Sequence, residues 1–141
     1  MDMNLRVIPR ETYLYALVTG IYSLPEAKKT AQDIFKACGE HGISKALVDF
    51  RTLQLSSSTL EDFKFAEFIA SINHEHVVKG FPPVKMVGLA KAPMRPSDLF
   101  GETVALNRGF LLKYTDDFVE ACNWLGIDPA SAGSGLDIAA K

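Results

Sequence analysis

No apolar run in this sequence approaches the ~18 uninterrupted residues of a membrane-spanning helix, so no span is expected. The opening stretch MDMNLRVIPR lacks the charged-then-apolar layout of a secretory signal. Cysteine is scarce. Cys38 and Cys122 both fall at apolar positions of helical patterns, so they read as small buried hydrophobes, not as a disulfide framework. That usage points to a reducing, cytoplasmic setting. Positive charge is not in excess: the formal net charge is −2, without the clustered Lys and Arg that track a nucleic-acid backbone. No G-x-S-x-G elbow, Walker loop, G-x-G-x-x-G turn or C-x-x-C pair occurs, and no segment repeats. No cofactor and no nucleic-acid partner are therefore expected.

What is present suits one soluble globular domain. A chain of 141 residues is long enough to bury roughly 70% of its unfolded surface without staples. Leu5 to Ile8 is a short strand candidate. Thr12 to Thr19 alternates, with Leu14, Ala16 and Val18 on one face and Tyr13, Tyr15 and Leu17 on the other. Both faces are mostly apolar, so this strand should be covered on both sides, and the short turn at Pro9-Arg10-Glu11 makes the pair an antiparallel hairpin. Ser23-Leu24-Pro25-Glu26 is a helix start, and Ala27, Ala31, Ile34, Phe35 and Cys38 form its apolar stripe, stopped by Gly39 or Gly42.

Ala46 to Phe50 is the third strand. A helix follows from near Ser58 to about Asn73, then a loop to Pro83 that would contain His74-Glu75-His76. Val84 to Ala90 is the fourth strand, Ser97-Asp98 opens the third helix, and Phe110 to Tyr114 is the fifth strand. Thr115 should cap the last helix, which Gly126 ends. Residues 1–127 then form the domain and 128–141 a small, Gly/Ser-rich tail. The order β-β-α-β-α-β-α-β-α predicts an α/β single domain: a mixed, mostly parallel five-stranded sheet with four helices.

The working edge of such a sheet lies where its strands end. Asp49 and Arg51 leave the third strand as a charge pair, either facing a sheet-edge site or closing a strand-end ion pair. Ser56, Ser57, Ser58 and Thr59 offer hydroxyls at a helix start, as an anion or phosphoacceptor site or as a plain N-cap. Arg95, at the outlet of the fourth strand, is the favoured anion or partner contact. Asp98 and Glu102 share a helix face at i, i+4, with Arg108 nearby, as a carboxylate pair or a solvated face. His74 and His76 find no third ligand, so no metal site is assigned. Phe63, Phe65, Phe68, Phe81 and Phe100 line an apolar pocket or interface, with Tyr22 a further candidate, or else form ordinary core. Phe63 lies about 160° from Phe65 on the helix, so its burial needs the loop with Phe81 or another subunit, and a homodimer through this helix edge is expected.

Three passages carry a resemblance: TYLYALVTGIYSLPEAKKT, KALVDFRTLQLSSST and LFGETVALNRGFLLKYTDDFVEACNWLG. Together they resemble STAS-type proteins with the SpoIIAA-like fold, whose prototype is the bacterial anti-sigma factor antagonist. More narrowly, the chain resembles small bacterial SpoIIAA-like proteins related to CRAL-TRIO lipid-binding domains. The resemblance implies a regulatory module whose loop after the third strand carries a serine phosphorylated by a partner kinase within an Asp-Ser-Ser-Gly pattern. Ser58 takes that serine's place, but Ser57 stands for the Asp, Thr59 for the second Ser and Leu60 for the Gly. Three readings follow. The first is a non-enzymatic interaction module with an unknown protein partner, and the second a small carrier of an apolar, lipid-like ligand. The third is an enzyme using Asp49, Arg51, Ser58, Arg95 or Glu102, for which no nucleophile, base and orienter can be read off.

Overall fold

Alternation of apolar residues on both faces makes the second strand a central one, and the rest of the sheet grows from it. The computed structural model describes residues 3–55, 58–92 and 96–129. Among these residues, β1 (Met3–Pro9) and β2 (Leu14–Gly20) form the antiparallel hairpin, with Met3 opposite Gly20 and Pro9 opposite Leu14. β3 (Lys45–Asp49), β4 (Lys85–Leu89) and β5 (Leu112–Thr115) add in parallel, and the strands lie in chain order across one five-stranded sheet. The crossovers are α1 (Leu24–His41), α2 (Thr59–Val78) and α3 (Pro96–Asn107), and α4 (Phe118–Leu125) follows the last strand.

The two-residue period of the strands sorts the core into two layers. Leu14, Ala16, Ala46, Met86 and Leu112 face α1, α2 and α3, where Ile34, Phe35, Ile69, Ala70 and Ala105 cover them. Tyr13, Tyr15, Leu47, Val87 and Leu89 face the other way and are covered by Ala121, Cys122 and Leu125 of α4. Three crossovers therefore share one face and one hand, while the terminal helix, which connects no strands, closes the other. The two cysteines lie in opposite layers, Cys38 in the first and Cys122 in the second, both buried. Burial pushes the Cys38 thiol up to about 12, so it behaves as a small hydrophobe.

Local chemistry sets the helix ends. The Ser23 Oγ accepts from the Glu26 N–H at the start of α1, and Gly42 closes that helix in the left-handed region at φ 65°. The fifth strand starts at Leu112, not Phe110, and ends at Thr115, and two helix boundaries also move. The second helix runs to Val78 instead of stopping near Asn73, because Asn73 is buried and its Oδ1 accepts from the Val84 N–H at 3.0 Å. A polar residue that reads as a stop is thus a tether to the chain entering β4, and His74-Glu75-His76 is helical, not a loop. The last helix is capped by Asp117, whose side chain accepts from the Glu120 N–H, while Thr115 is still in β5 and its Oγ1 accepts from the Asp117 N–H at 3.1 Å.

Helix α2 carries more apolar residues than one stripe needs. It packs against α1 on one flank and α3 on the other, and its Ile69 and Ala70 join the core layer of the sheet, so three of its sides meet protein. Residues 130–141, most of the expected tail, lie outside the described residues, and Ile127 just before them is buried in the α4 layer.

Candidate functional site

The C-terminal ends of the parallel strands and the N-terminal ends of α1, α2 and α3 meet at one edge of the sheet. Asp49, the last residue of β3, sits there fully buried on the α4 face. Its Oδ2 accepts from the Tyr15 hydroxyl at 2.6 Å and from Arg51 Nη2 at 2.8 Å, and its Oδ1 accepts from Arg51 Nε at 3.0 Å and the Arg51 N–H at 3.1 Å. Burial acts to raise the Asp49 pKa, but the Arg51 and Tyr15 hydrogen bonds outweigh it and hold the carboxyl below its ordinary value. Burial and the same carboxylate push the Tyr15 phenol upward. The pair expected at the strand exit is therefore a closed triad that pins the root of the β3–α2 loop.

That loop bridges to the β2–α1 connection. Gln54 N–H donates to Gly20 O at 2.8 Å, and Tyr22 N–H donates to Gln54 O at 2.9 Å. At its far end Ser58 is exposed and forms a reciprocal capping box with Glu61: the Glu61 N–H donates to Ser58 Oγ at 3.2 Å, and the Ser58 N–H to Glu61 Oε1 at 3.0 Å. Thr59 is exposed beside it. Ser56, Ser57 and Arg95 lie outside the described residues, as does the Asp98 side chain. Glu102 is committed to the fold, its Oε2 accepting from the Tyr114 N–H at 2.9 Å.

The five phenylalanines do not share one pocket. Phe63 stacks on Phe100 with centroids 6.0 Å apart, and the Arg108 guanidinium lies over Phe63 while pairing with Glu67 at 2.7 Å. This corrects the expectation that Phe63 needs the Phe81 loop or a second subunit: α3 supplies its cover from the same chain. Phe68 lies under the Lys28 ammonium at 5.2 Å. Phe81 is at the opposite end of α2, stacked on buried His76 at 4.6 Å. Only Phe65 of the five lines the cavity of about 100 Å³ between the sheet and α1, α2 and α3.

Val48, Met86 and Leu112 contribute to the sheet wall of that cavity, and Ala31 and Ile34 to its α1 wall. Phe50, Leu53 and Leu55 close the end under the β3–α2 loop. Tyr22, Thr30 and Asp62 add polar groups, and both the Tyr22 hydroxyl and one Asp62 carboxylate oxygen are removed from solvent. Sequence reasoning missed Tyr15 as the Asp49 partner and Asp62 as a cavity residue. The second was visible as spacing: Asp62, Phe65 and Ile69 stand at i, i+3 and i+7, one stripe of α2.

No protein-family model matches this chain, and no curated protein matches its sequence. Among solved structures, an anti-sigma factor antagonist from Mycobacterium paratuberculosis matches with a TM-score of 0.55 and 12% identity, over 89% of this chain and 95% of that one. An uncharacterized DUF3478-family protein with a SpoIIAA-like fold from Shewanella loihica PV-4 matches with a TM-score of 0.47 and 16% identity, over 88% and 93%. With the strand order and the helix layers, the first likeness shows that this chain shares the fold of that anti-sigma factor antagonist. No described helix is long and apolar enough to cross a membrane.

Proposed function

We propose that the chain is a non-enzymatic, cytoplasmic regulatory module that docks a protein partner through the N-terminal ends of α2 and α3. One observation carries this reading. Apolar side chains stand exposed where these helices begin: Leu60 at 60%, Leu99 at 54% and Phe100 at 43% relative exposure. Leu60 and Phe63 are one turn apart, and Phe63 stacks on Phe100, so the patch is continuous and lies beside the capped Ser58. The shared fold with a protein described as an anti-sigma factor antagonist supports a regulatory role of this kind. A catalytic reading is weakened by the commitment of Asp49, Arg51, Ser58 and Glu102 to bonds within the fold. A symmetric homodimer would use the same face, each Leu60 meeting the other copy's patch.

The test is affinity capture from an extract of the source organism with the wild type, Leu60→Lys and Ser58→Asp. A partner retained by the wild type, lost with Leu60→Lys and altered in yield by Ser58→Asp supports the docking edge. Equal recovery by all three overturns it. Light scattering on the wild type and Leu60→Lys reports separately on the homodimer.

A further inference from the structure

The cavity between the sheet and α1, α2 and α3 is distinct from the docking patch. Two glycines line it, Gly88 and Gly101, and the fold treats them differently. At Gly88 the rings of Tyr114 and Phe50 take the place of a side chain, so the packing itself requires the glycine. At Gly101 it does not. Gly101 is buried in the middle of α3, and its backbone is ordinary helix. A β-carbon there would stand 3.7 Å from Tyr114 Cε2 and 4.0 Å from Ala66 Cβ, both ordinary contacts. Alanine would therefore fit, and it would favour the helix, since glycine is among the poorest helix formers. Glycine at this position leaves the cavity larger by a methyl group.

The space measures about 100 Å³, a sizeable fraction of the ~150 Å³ at which an apolar protein cavity stays dry and accepts benzene or xenon. Its walls at Ile34, Val48, Phe65 and Leu112 carry no hydrogen-bonding side-chain atom, which disfavours water as the occupant. Met86 is a pliable wall, able to shift and admit the edge of a single ring. Tyr22, Thr30 and Asp62 also belong to the lining, but a neutral hydrocarbon asks no hydrogen bond of them. An anionic head would lose its hydration against the apolar walls.

We propose that the cavity is a binding site for one small, uncharged apolar molecule, a single ring or a short branched hydrocarbon, and that Gly101 keeps room for it. Binding there requires no protein partner, so it stands or falls independently of the docking reading.

The full chain, labelled with ¹⁵N, is titrated by NMR with benzene and with benzoate, and both titrations are repeated on Gly101→Ala. The expected result for the wild type is saturable shifts at the amides of Ile34, Val48 and Gly101 with benzene and none there with benzoate. Gly101→Ala should melt at or above the wild-type temperature without ligand. It should bind benzene at least about tenfold more weakly, because a methyl group now stands in the space. Absence of saturable benzene shifts in the wild type, or benzoate binding as tightly as benzene, would overturn the proposal. So would a Gly101→Ala protein that binds benzene as well as the wild type. A Gly101→Ala protein that fails to fold or melts well below the wild type would also overturn it, because the glycine would then serve the fold and not a ligand.

Discussion

The ring of Tyr114 occupies the space that a β-carbon on Gly88 would need: its Cδ1 lies 2.5 Å from that position, and Phe50 Cε1 lies 2.9 Å away. Tyr114 and Phe50 meet edge to face at 5.9 Å over the glycine and also line the cavity. Gly88 is there for space, in ordinary strand backbone. Gly88→Ala should lower stability by about 1–3 kcal/mol as the rings are driven toward the cavity. Thermal unfolding measures it, and adding Tyr114→Leu should restore much of the loss. A Gly88→Ala protein as stable as the wild type would show that the rings move without cost.

The Tyr15–Asp49–Arg51 triad gives the molecule an acid-sensitive point. The folded Asp49 pKa lies below its unfolded value of 3.8, so its contribution is fully present above that pH and is lost as the pH falls through the folded pKa. Asp49→Asn should flatten the loss of stability below about pH 4 relative to the wild type. Tyr15→Phe removes a hydrogen bond to a charged group and should cost roughly 1.5–3 kcal/mol at neutral pH. Urea unfolding at several pH values reads both effects, and an unchanged acid limb in Asp49→Asn would count against the triad's role.

At Ser58, the cap and any partner effect can be separated. Ser58→Ala removes the acceptor for the Glu61 N–H and should cost about 1 kcal/mol. Ser58→Asp keeps an acceptor and adds negative charge at the positive end of α2, so its stability should stay within roughly 0.5 kcal/mol of the wild type. Chemical denaturation checks this, and a matched stability makes Ser58→Asp a clean probe of docking.

His76 should make stability fall between neutral and mildly acidic pH. It is buried, stacked on Phe81 and edge-on to Phe35, and burial followed by the nearby Lys79 charge holds its imidazole below 6.5. Lys36 and Glu40 of α1, Glu75 of α2 and Lys79 just after it line the same groove. With the folded pKa depressed, stability is complete above the unfolded value and declines as the unfolded chain takes up the proton. His76→Phe, unable to titrate, should show a shallower fall in melting temperature from pH 7 to pH 5, and equal slopes would refute the assignment.

Much of the fold was legible because it rests on local rules. The alternation in Thr12 to Thr19 announced a strand covered on both faces, and Leu14 and Tyr15 duly enter opposite layers. Ser23, Ser58 and Gly126 are caps whose chemistry is complete within a few residues. Parallel pairing of β2 to β5 follows from helices long enough to cross over. The end of α2 was not legible, since Asn73 acts through a backbone N–H eleven residues away.

The sequence by itself determined the element order, the alternation that divides the core into two layers, and the caps, because each depends on residues within one turn or one strand. Only the tertiary structure decided which of the α2 phenylalanines meets what. Phe63 goes to Phe100, Phe65 to the cavity and Phe68 to Lys28, because α2 is flanked by two helices whose side chains helical periodicity cannot place. It also decided that Asp49 faces Tyr15, across 34 residues of chain, and that Asp62 contributes to the cavity lining. Such contacts arise from the packing of whole elements, in which a few ångströms of separation determine whether a polar atom meets solvent, a partner or a void.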